Sequence, residues 1–233
     1  MKPRLLLWLL SVCLPLTYSC SRKTQSTLLI QNGDLLFVGL PYNFNDGDST
    51  DMSSAITVAT GEDSGINYIH VAILEVDDND SVWVIDATLK HGVDRHPFGT
   101  FLSDFTLDDG SYPQLDVMRL KDNSKAADYV ENAKTYCGRA YDLYFLPDND
   151  EQYCSELVRN AYRNDTSSYI FDQAPMNFQA PDGTFPPYWI SLFKRIDQPI
   201  PQGVMGTNPN SMSQEPCLIR VTSLENGEWR TER

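Results

Sequence analysis

Glu151-Gln152-Tyr153-Cys154-Ser155-Glu156-Leu157-Val158 carries the chain from a loop of turn and acidic residues, Pro147-Asp148-Asn149-Asp150, into a helical pattern that continues to Ala161. A cysteine in the first turn of a helix meets the positive end of the helix dipole and free backbone N–H groups. Both favour the thiolate, which is the nucleophilic form. The same N–H groups can hold an oxyanion. The segment thus offers a nucleophile and part of its transition-state stabiliser. A small, half-buried core cysteine fits the same residues equally well, so the rest of the chain has to decide.

A cysteine nucleophile needs a base, usually histidine. The chain has three: His70, His91 and His96. His70 lies in Tyr68-Ile69-His70-Val71-Ala72-Ile73-Leu74, an apolar strand otherwise suited to a core, where a buried imidazole must find a hydrogen-bond partner. His91 and His96 flank Gly92 and Pro97 in polar sequence and read as surface or loop residues. Asp86 repeats the anomaly in Val82-Trp83-Val84-Ile85-Asp86-Ala87. A buried carboxylate without a partner is expensive, and a neighbouring imidazole would supply one, although capping a backbone group at the strand end is the other reading. Parity decides between them. If the loop is residues 77–81, with Val76 opposite Val82, then Ala72 faces Asp86, and His70 and Asp86 share a face as diagonal neighbours. An even loop puts them on opposite faces.

Other elements follow from pattern. Asn32-Gly33-Asp34 is a turn before the strand Leu35–Val38, with Asp34 capping local backbone, and residues 40–53 read as loop. Ala55–Thr60 fits a short strand or the end of a helix. Gly92-Val93 begins a short strand or loop, and Leu115–Leu120 and Leu218–Thr222 are strands. A helix starts at Ser124, carries Ala127, Val130, Ala133 and Cys137 at helical spacing, and stops at Gly138. A Pro/Gly/Asn-rich stretch follows the Cys154 helix, with a short helix near Tyr188–Ile196. The total is an α+β domain, mostly antiparallel, around two central helices.

The first residues read as a secretion signal. Lys2 and Arg4 precede an apolar run, Leu5–Leu16, too short for a stable membrane span. Leu16-Thr17-Tyr18-Ser19-Cys20 resembles a loose bacterial lipobox, with Tyr18 and the early Leu as departures from it. Residues 1–19 are thus expected to be a lipoprotein signal, Cys20 the lipidated N-terminus, 20–32 a tether, and 33–233 one domain. The lipid would supply the membrane attachment. The formal charge of −14 falls to near −16 without Lys2 and Arg4, which argues against a nucleic-acid partner. Apart from Cys13 and Cys20, the cysteines are Cys137, Cys154 and Cys217. A Cys137–Cys217 bridge with Cys154 free is one arrangement an oxidising compartment allows. No C-x-x-C and no Cys/His cluster at zinc spacing is present, and no metal or cofactor is expected.

Gly33-Asp34-Leu35-Leu36-Phe37, Ser54-Ala55-Ile56 with Thr60, Tyr68–Ile73, Gly138-Arg139-Ala140-Tyr141-Asp142-Leu143-Tyr144-Phe145 and Tyr153–Val158 together resemble the ordered blocks of YiiX/YebB-like proteins. These are circularly permuted members of the NlpC-type, papain-like cysteine hydrolases. The order His, acid, Cys matches the permuted arrangement, and the resemblance covers about Gly33 to Ala161. It implies a permuted papain-like fold, an antiparallel sheet or small barrel against helices. It also implies Cys154 as nucleophile, His70 as base and Asp86 as orienting acid, the acid being the weakest carry-over. Tyr141 stands where unpermuted relatives place a tyrosine near the nucleophile, to donate to oxyanion or substrate or simply to pack. The leading expectation is a cell-envelope hydrolase cleaving an amide bond, in peptidoglycan stem peptides, outside the cytoplasm of a bacterium. An acyl hydrolase or acyltransferase on lipid or N-acyl substrates is the second reading, and a non-catalytic binding module the third. A polar, open groove would suit stem peptides and an apolar one acyl chains.

Overall fold

The computed structural model describes residues 29–42, 44, 51–62, 64–147, 149–164, 168–224 and 227. The expected signal, Cys20, the tether up to residue 28 and half of the 40–53 loop lie outside them.

Six strands form one antiparallel sheet: β1 (Asp34–Pro41), β2 (Ile66–Val76), β3 (Val82–Thr88), β4 (Gly92–Pro97), β5 (Gln114–Leu120) and β8 (Leu218–Leu224), in the order β4-β3-β2-β1-β5-β8. Among the described residues the sheet stays open, with β4 and β8 as its edges, so of the two expected forms it is the sheet and not the barrel. The alternation of apolar residues along each strand supplies two buried faces. Leu35, Phe37, Val71, Ile73, Ile85 and Ala87 face one side. There they meet α3 (Ala126–Lys134) and α4 (Cys154–Ala161) through Val130, Ala133, Leu157, Val158 and Ala161. Leu36, Val38, Ala72, Leu74, Val84 and Val117 face the other, where Phe101 of α2 (Phe98–Asp104) packs on them. Leu157 and Val158 are fully buried, each contributing about 1.5–3 kcal/mol by removal from water.

The β2–β3 hairpin has the odd loop that parity required. Val76 pairs with Val82 and Ile73 with Ile85, and Asp77 closes the turn by donating its N–H to Ser81 O at 3.0 Å. The ladder ends at Ile73–Ile85, one pair short of Ala72 and Asp86. Beyond it β2 remains paired with β1, and β3 with β4. Close by, the β1–β2 register slips: Val38 pairs with His70 but Gly39 with Tyr68. Ile69 is the extra residue of this bulge, a device that re-aims neighbouring side chains.

Several local expectations are corrected. Residues 52–60 are the helix α1, capped by Asp51, which accepts the Ser54 N–H at 2.8 Å. α3 begins after Lys125 with no side-chain cap, and Ser124 instead donates its N–H to Asp122. That helix ends at Lys134, leaving Cys137 in the turns before Gly138, whose φ of 90° suits a helix stop. Asp34 does cap backbone, accepting the Gln31 N–H at 2.7 Å, and it also holds Arg119 through two further bonds.

Part of the chain after Asn164 forms a third apolar cluster beside the two faces. α5 (Pro187–Arg195) and a two-residue pairing of β6 (Ala174–Pro175) with β7 (Met205–Gly206) organise it, whereas α6 (Pro209–Ser213) sends Met212 into the first face. Met176, Phe178, Trp189, Leu192 and Phe193 pack there with Ala55 of α1, Phe145 and Tyr153.

Candidate active site

Cys154 is the first residue of α4 and is 5% exposed. Tyr153 precedes it in extended conformation, and its N–H reaches the Glu156 carboxylate at 3.4 Å, the backward half of a capping box. The first N–H groups of the helix, that of Cys154 included, have no carbonyl within the helix to bond. Leu157, Val158 and Ala161 anchor the other side of α4 in the core, and the Tyr162 hydroxyl donates to Gly33 O at 2.8 Å, fixing the helix end to the start of β1. The cysteine is therefore held by rigid packing at a dipole-positive end.

His70 lies next to the bulge, in the part of β2 no longer paired with β3. Its Nε2 is 2.7 Å from Asp86 Oδ2, both groups being buried, and Cys154 lies close enough to act on the ring electrostatically. The Phe105 ring packs against it at 4.8 Å. Burial alone would push the imidazole down. The Cys154 charge and the hydrogen bond to Asp86 outweigh it and raise His70 to about 10. His70 is therefore an imidazolium at neutral pH, held against Asp86 and close to Cys154. Such an array can attack a carbonyl and protonate a leaving group.

Tyr141 is brought to the same place by backbone pairing. Asp142 N–H donates to Gln152 O and Gln152 N–H to Ala140 O, both at 3.1 Å, so residues 140–142 run beside the approach to Cys154. Its hydroxyl points to Met52 Sδ of α1 at 3.7 Å and its ring meets Phe145 edge-on. Burial, then the Cys154 charge, pushes its phenol well above the ordinary value, so it stays a neutral donor. The structure thus gathers Cys154, His70, Asp86 and Tyr141.

A narrow cleft opens beside Cys154, about 490 Å³ including its open mouth. Ile56, Tyr141, Phe145, Met176, Phe178 and Trp189 supply its apolar walls, with Thr60, Ser155, Asn177, Thr207 and Asn208 as polar points. Among the described residues, no Asp, Glu, Lys, Arg or His lines it. The C-terminal segment provides one whole wall and is pinned at both ends of the site. Thr207 donates its N–H to Tyr153 Oη and its hydroxyl to Ser155 Oγ, each at 3.0 Å. Asn210 Oδ1 accepts the Tyr68 N–H at 2.6 Å, just beyond the bulge. Gly206 is required by this closeness, because a Cβ there would lie 2.5 Å from Met176 Sδ and 2.8 Å from Tyr153 Oη. The signal for this wall in the sequence was limited to aromatic residues, Phe178, Trp189 and Phe193, in a stretch otherwise rich in Pro, Gly and Asn.

Two further expectations change. His91 is exposed, as read, but His96 is only 5% exposed. β4 pairs His96 with Val84, which puts it on the sheet face of Asp86, under Phe101. Cys137 and Cys217 are free thiols and form no bridge.

Comparison with known proteins accounts for this arrangement. A family described as "Permuted papain-like amidase enzyme, YaeF/YiiX, C92 family" matches residues 29–222. The chain belongs to this family. The family is described as one of papain-like amidases. The chain is similar to "Uncharacterized protein YiiX" of Escherichia coli (strain K12), 29% identical over 100 residues, which are 43% of this chain and 46% of that protein. The match thus spans about half the length of the curated relative. The fold is similar to the crystal structure titled metalloprotein YiiX from Escherichia coli O157:H7, with a TM-score of 0.60 and 24% identity, covering 86% of this chain and 98% of that one. In the present chain no group of three or more His, Cys, Asp or Glu side chains among the described residues is arranged to hold a metal ion.

Proposed function

We propose that this protein hydrolyses amides bearing an apolar acyl group, with Cys154 as nucleophile, His70 as acid and base, and Asp86 orienting His70. The observation that carries the substrate class is the cleft wall. A peptidoglycan stem peptide presents charged carboxylates and amines, and among the described residues the cleft beside Cys154 offers no acidic or basic side chain to meet them. Rings and aliphatic chains from Ile56, Phe145, Met176, Phe178 and Trp189 suit a hydrocarbon instead.

In this reading the Cys154 thiolate attacks the amide carbonyl carbon, and the N–H groups opening α4 receive the oxyanion. The His70 imidazolium gives its proton to the departing amine as the C–N bond breaks, leaving a thioester. His70, now neutral, takes a proton from water as its oxygen attacks, and the carboxylic acid leaves with Cys154 restored. Tyr141 forms part of the wall and keeps a phenol near the reacting carbon. A lipid on Cys20, with the protein in the cell envelope, would hold the cleft at a membrane face where acylated molecules are concentrated.

The test is cleavage of an N-dodecanoyl amino acid, a dodecanoyl ester and a purified muropeptide, side by side, by the wild type and Cys154→Ala. Release of dodecanoate from the amide by the wild type alone supports the reading. Cleavage of the muropeptide with the acyl amide untouched overturns the substrate class. A marked preference for the ester moves the activity from amidase to esterase.

A further inference from the structure

The carboxylate that holds His70 is itself only half engaged. Asp86 Oδ2 takes the His70 contact, and Asp86 Oδ1 is buried without a hydrogen-bond partner among the described residues. A carboxylate has room for several donors, and a buried oxygen left bare is costly. Both ring nitrogens of His96 are buried and equally without partners. Nε2 of His96 stands 3.7 Å from Asp86 Oδ1, a separation that a shift of about 1 Å closes to an ordinary hydrogen bond. Two of the three unmet buried atoms, Asp86 Oδ1 and His96 Nε2, therefore answer one another.

We infer that His96 is a positioning residue: its Nε2–H donates to Asp86 Oδ1 and fixes the carboxylate against His70. The inference rests on the catalytic assignment above and extends it to a fourth member, in the order Cys154, His70, Asp86, His96. Asp86 otherwise has one tether and is free to swing about it. With His96 on its second oxygen, its plane is set by two rings from two different strands, β2 and β4. The groups facing His96 are few. Asp86 comes from β3, with His70 of β2 beyond it. Asp94, on its own strand, brings Oδ2 to 3.7 Å of Nδ1. The His91 ring is 6.0 Å away and is itself bonded to Asp104 of α2, as is Lys90. From α2 the direct contact is the apolar ring of Phe101, at 6.5 Å.

The experiment is the rate of Cys154 alkylation by iodoacetamide across pH in the wild type, His70→Ala, His96→Phe and His96→Gln, with melting curves for each. His96→Phe keeps the ring and its packing but has no donor, and His96→Gln keeps a donor. The expected result is about a tenfold lower plateau rate in His96→Phe, the worth of one hydrogen bond to a charged group. Its acid limb should also move to higher pH, with both changes largely reversed in His96→Gln. A His96→Phe protein with the wild-type rate and pH profile overturns the inference. So does an equal loss in both variants that follows their melting temperatures with no movement of the pH limb, because that marks a packing role only. If His70→Ala matches the wild type, the catalytic assignment itself fails, and the inference falls with it by a separate and recognisable outcome.

Discussion

The two sides of the cleft are built in different ways. On one side lie β2 and β3, whose register carries His70 and Asp86 onto one face just beyond their last ladder pair, with 2.7 Å between the two side chains. On the other lies the segment from Ala174 to Pro209, where strand pairing is confined to two residues on each of β6 and β7, α5 is the one helix within it that carries wall residues, and the wall is a cluster of side chains. Proton transfer needs groups held within a fraction of an ångström, which strands and a packed helix end provide. Recognition of a hydrocarbon needs only a shape, which irregular backbone can provide and change at low cost. The comparison teaches a division of labour, with chemistry in the sheet and selectivity in the tail.

The sharpest way to break that division is Asp86→Asn. It keeps the shape and removes the charge that favours the His70 imidazolium. The rate of amide cleavage should fall about 10²–10⁴-fold with KM little changed, as read by steady-state kinetics on an N-acyl amide. A fall in affinity instead would place Asp86 in recognition. Trp189→Ala tests the other side. Removing a large ring from the wall should raise KM for a long-chain amide about 10–100-fold, the value of its apolar contact, while the rate of Cys154 alkylation by a small reagent stays within about threefold. Loss of alkylation as well would mean that the tail also shapes the chemistry.

His70 also makes stability respond to pH. Its folded value, about 10, lies above the ordinary 6.5. A raised value favours the folded state fully below about 6.5, and the contribution is lost as pH climbs through about 10. The difference in melting temperature between wild type and His70→Ala should shrink over that window, and a constant difference would deny the ion pair. The smallest effect is expected for Tyr141→Phe. Its hydroxyl is directed to Met52 Sδ, so hydrolysis should slow only about two- to threefold, at the low end for a neutral hydrogen bond. A loss of about 100-fold would identify the phenol as an oxyanion donor.

The same division explains what could be read from the chain. His70 and Asp86 were legible because each is a polar residue in an apolar strand, and the loop from Asp77 to Ser81 fixes their parity. Cys154 was legible from the change of loop to helix before Leu157 and Val158. His96 was not. Gly92-Val93-Asp94-Arg95-His96-Pro97 is polar, and the burial of His96 comes from Val84 across the ladder and from Phe101, whose helix carries no capping side chain to announce it. The end of α3 was misplaced because Cys137 continues the helical spacing beyond the last helical turn, at Lys134. Met176, Phe178 and Trp189 meet Tyr153 and Ala55 only through contacts distant in sequence, and no period in the tail encodes them.

The central claim is that Cys154 is the nucleophile and His70 activates it. Site-resolved alkylation by mass spectrometry tests it most directly, with Cys137 and Cys217 as internal references, since burial pushes both of their thiols up. The account predicts that Cys154 reacts far faster than either at and below neutral pH, and that His70→Ala removes the advantage. An inert Cys154, or one that titrates near about 8.5 like a free cysteine in both proteins, would contradict it and leave a papain-like fold without its chemistry.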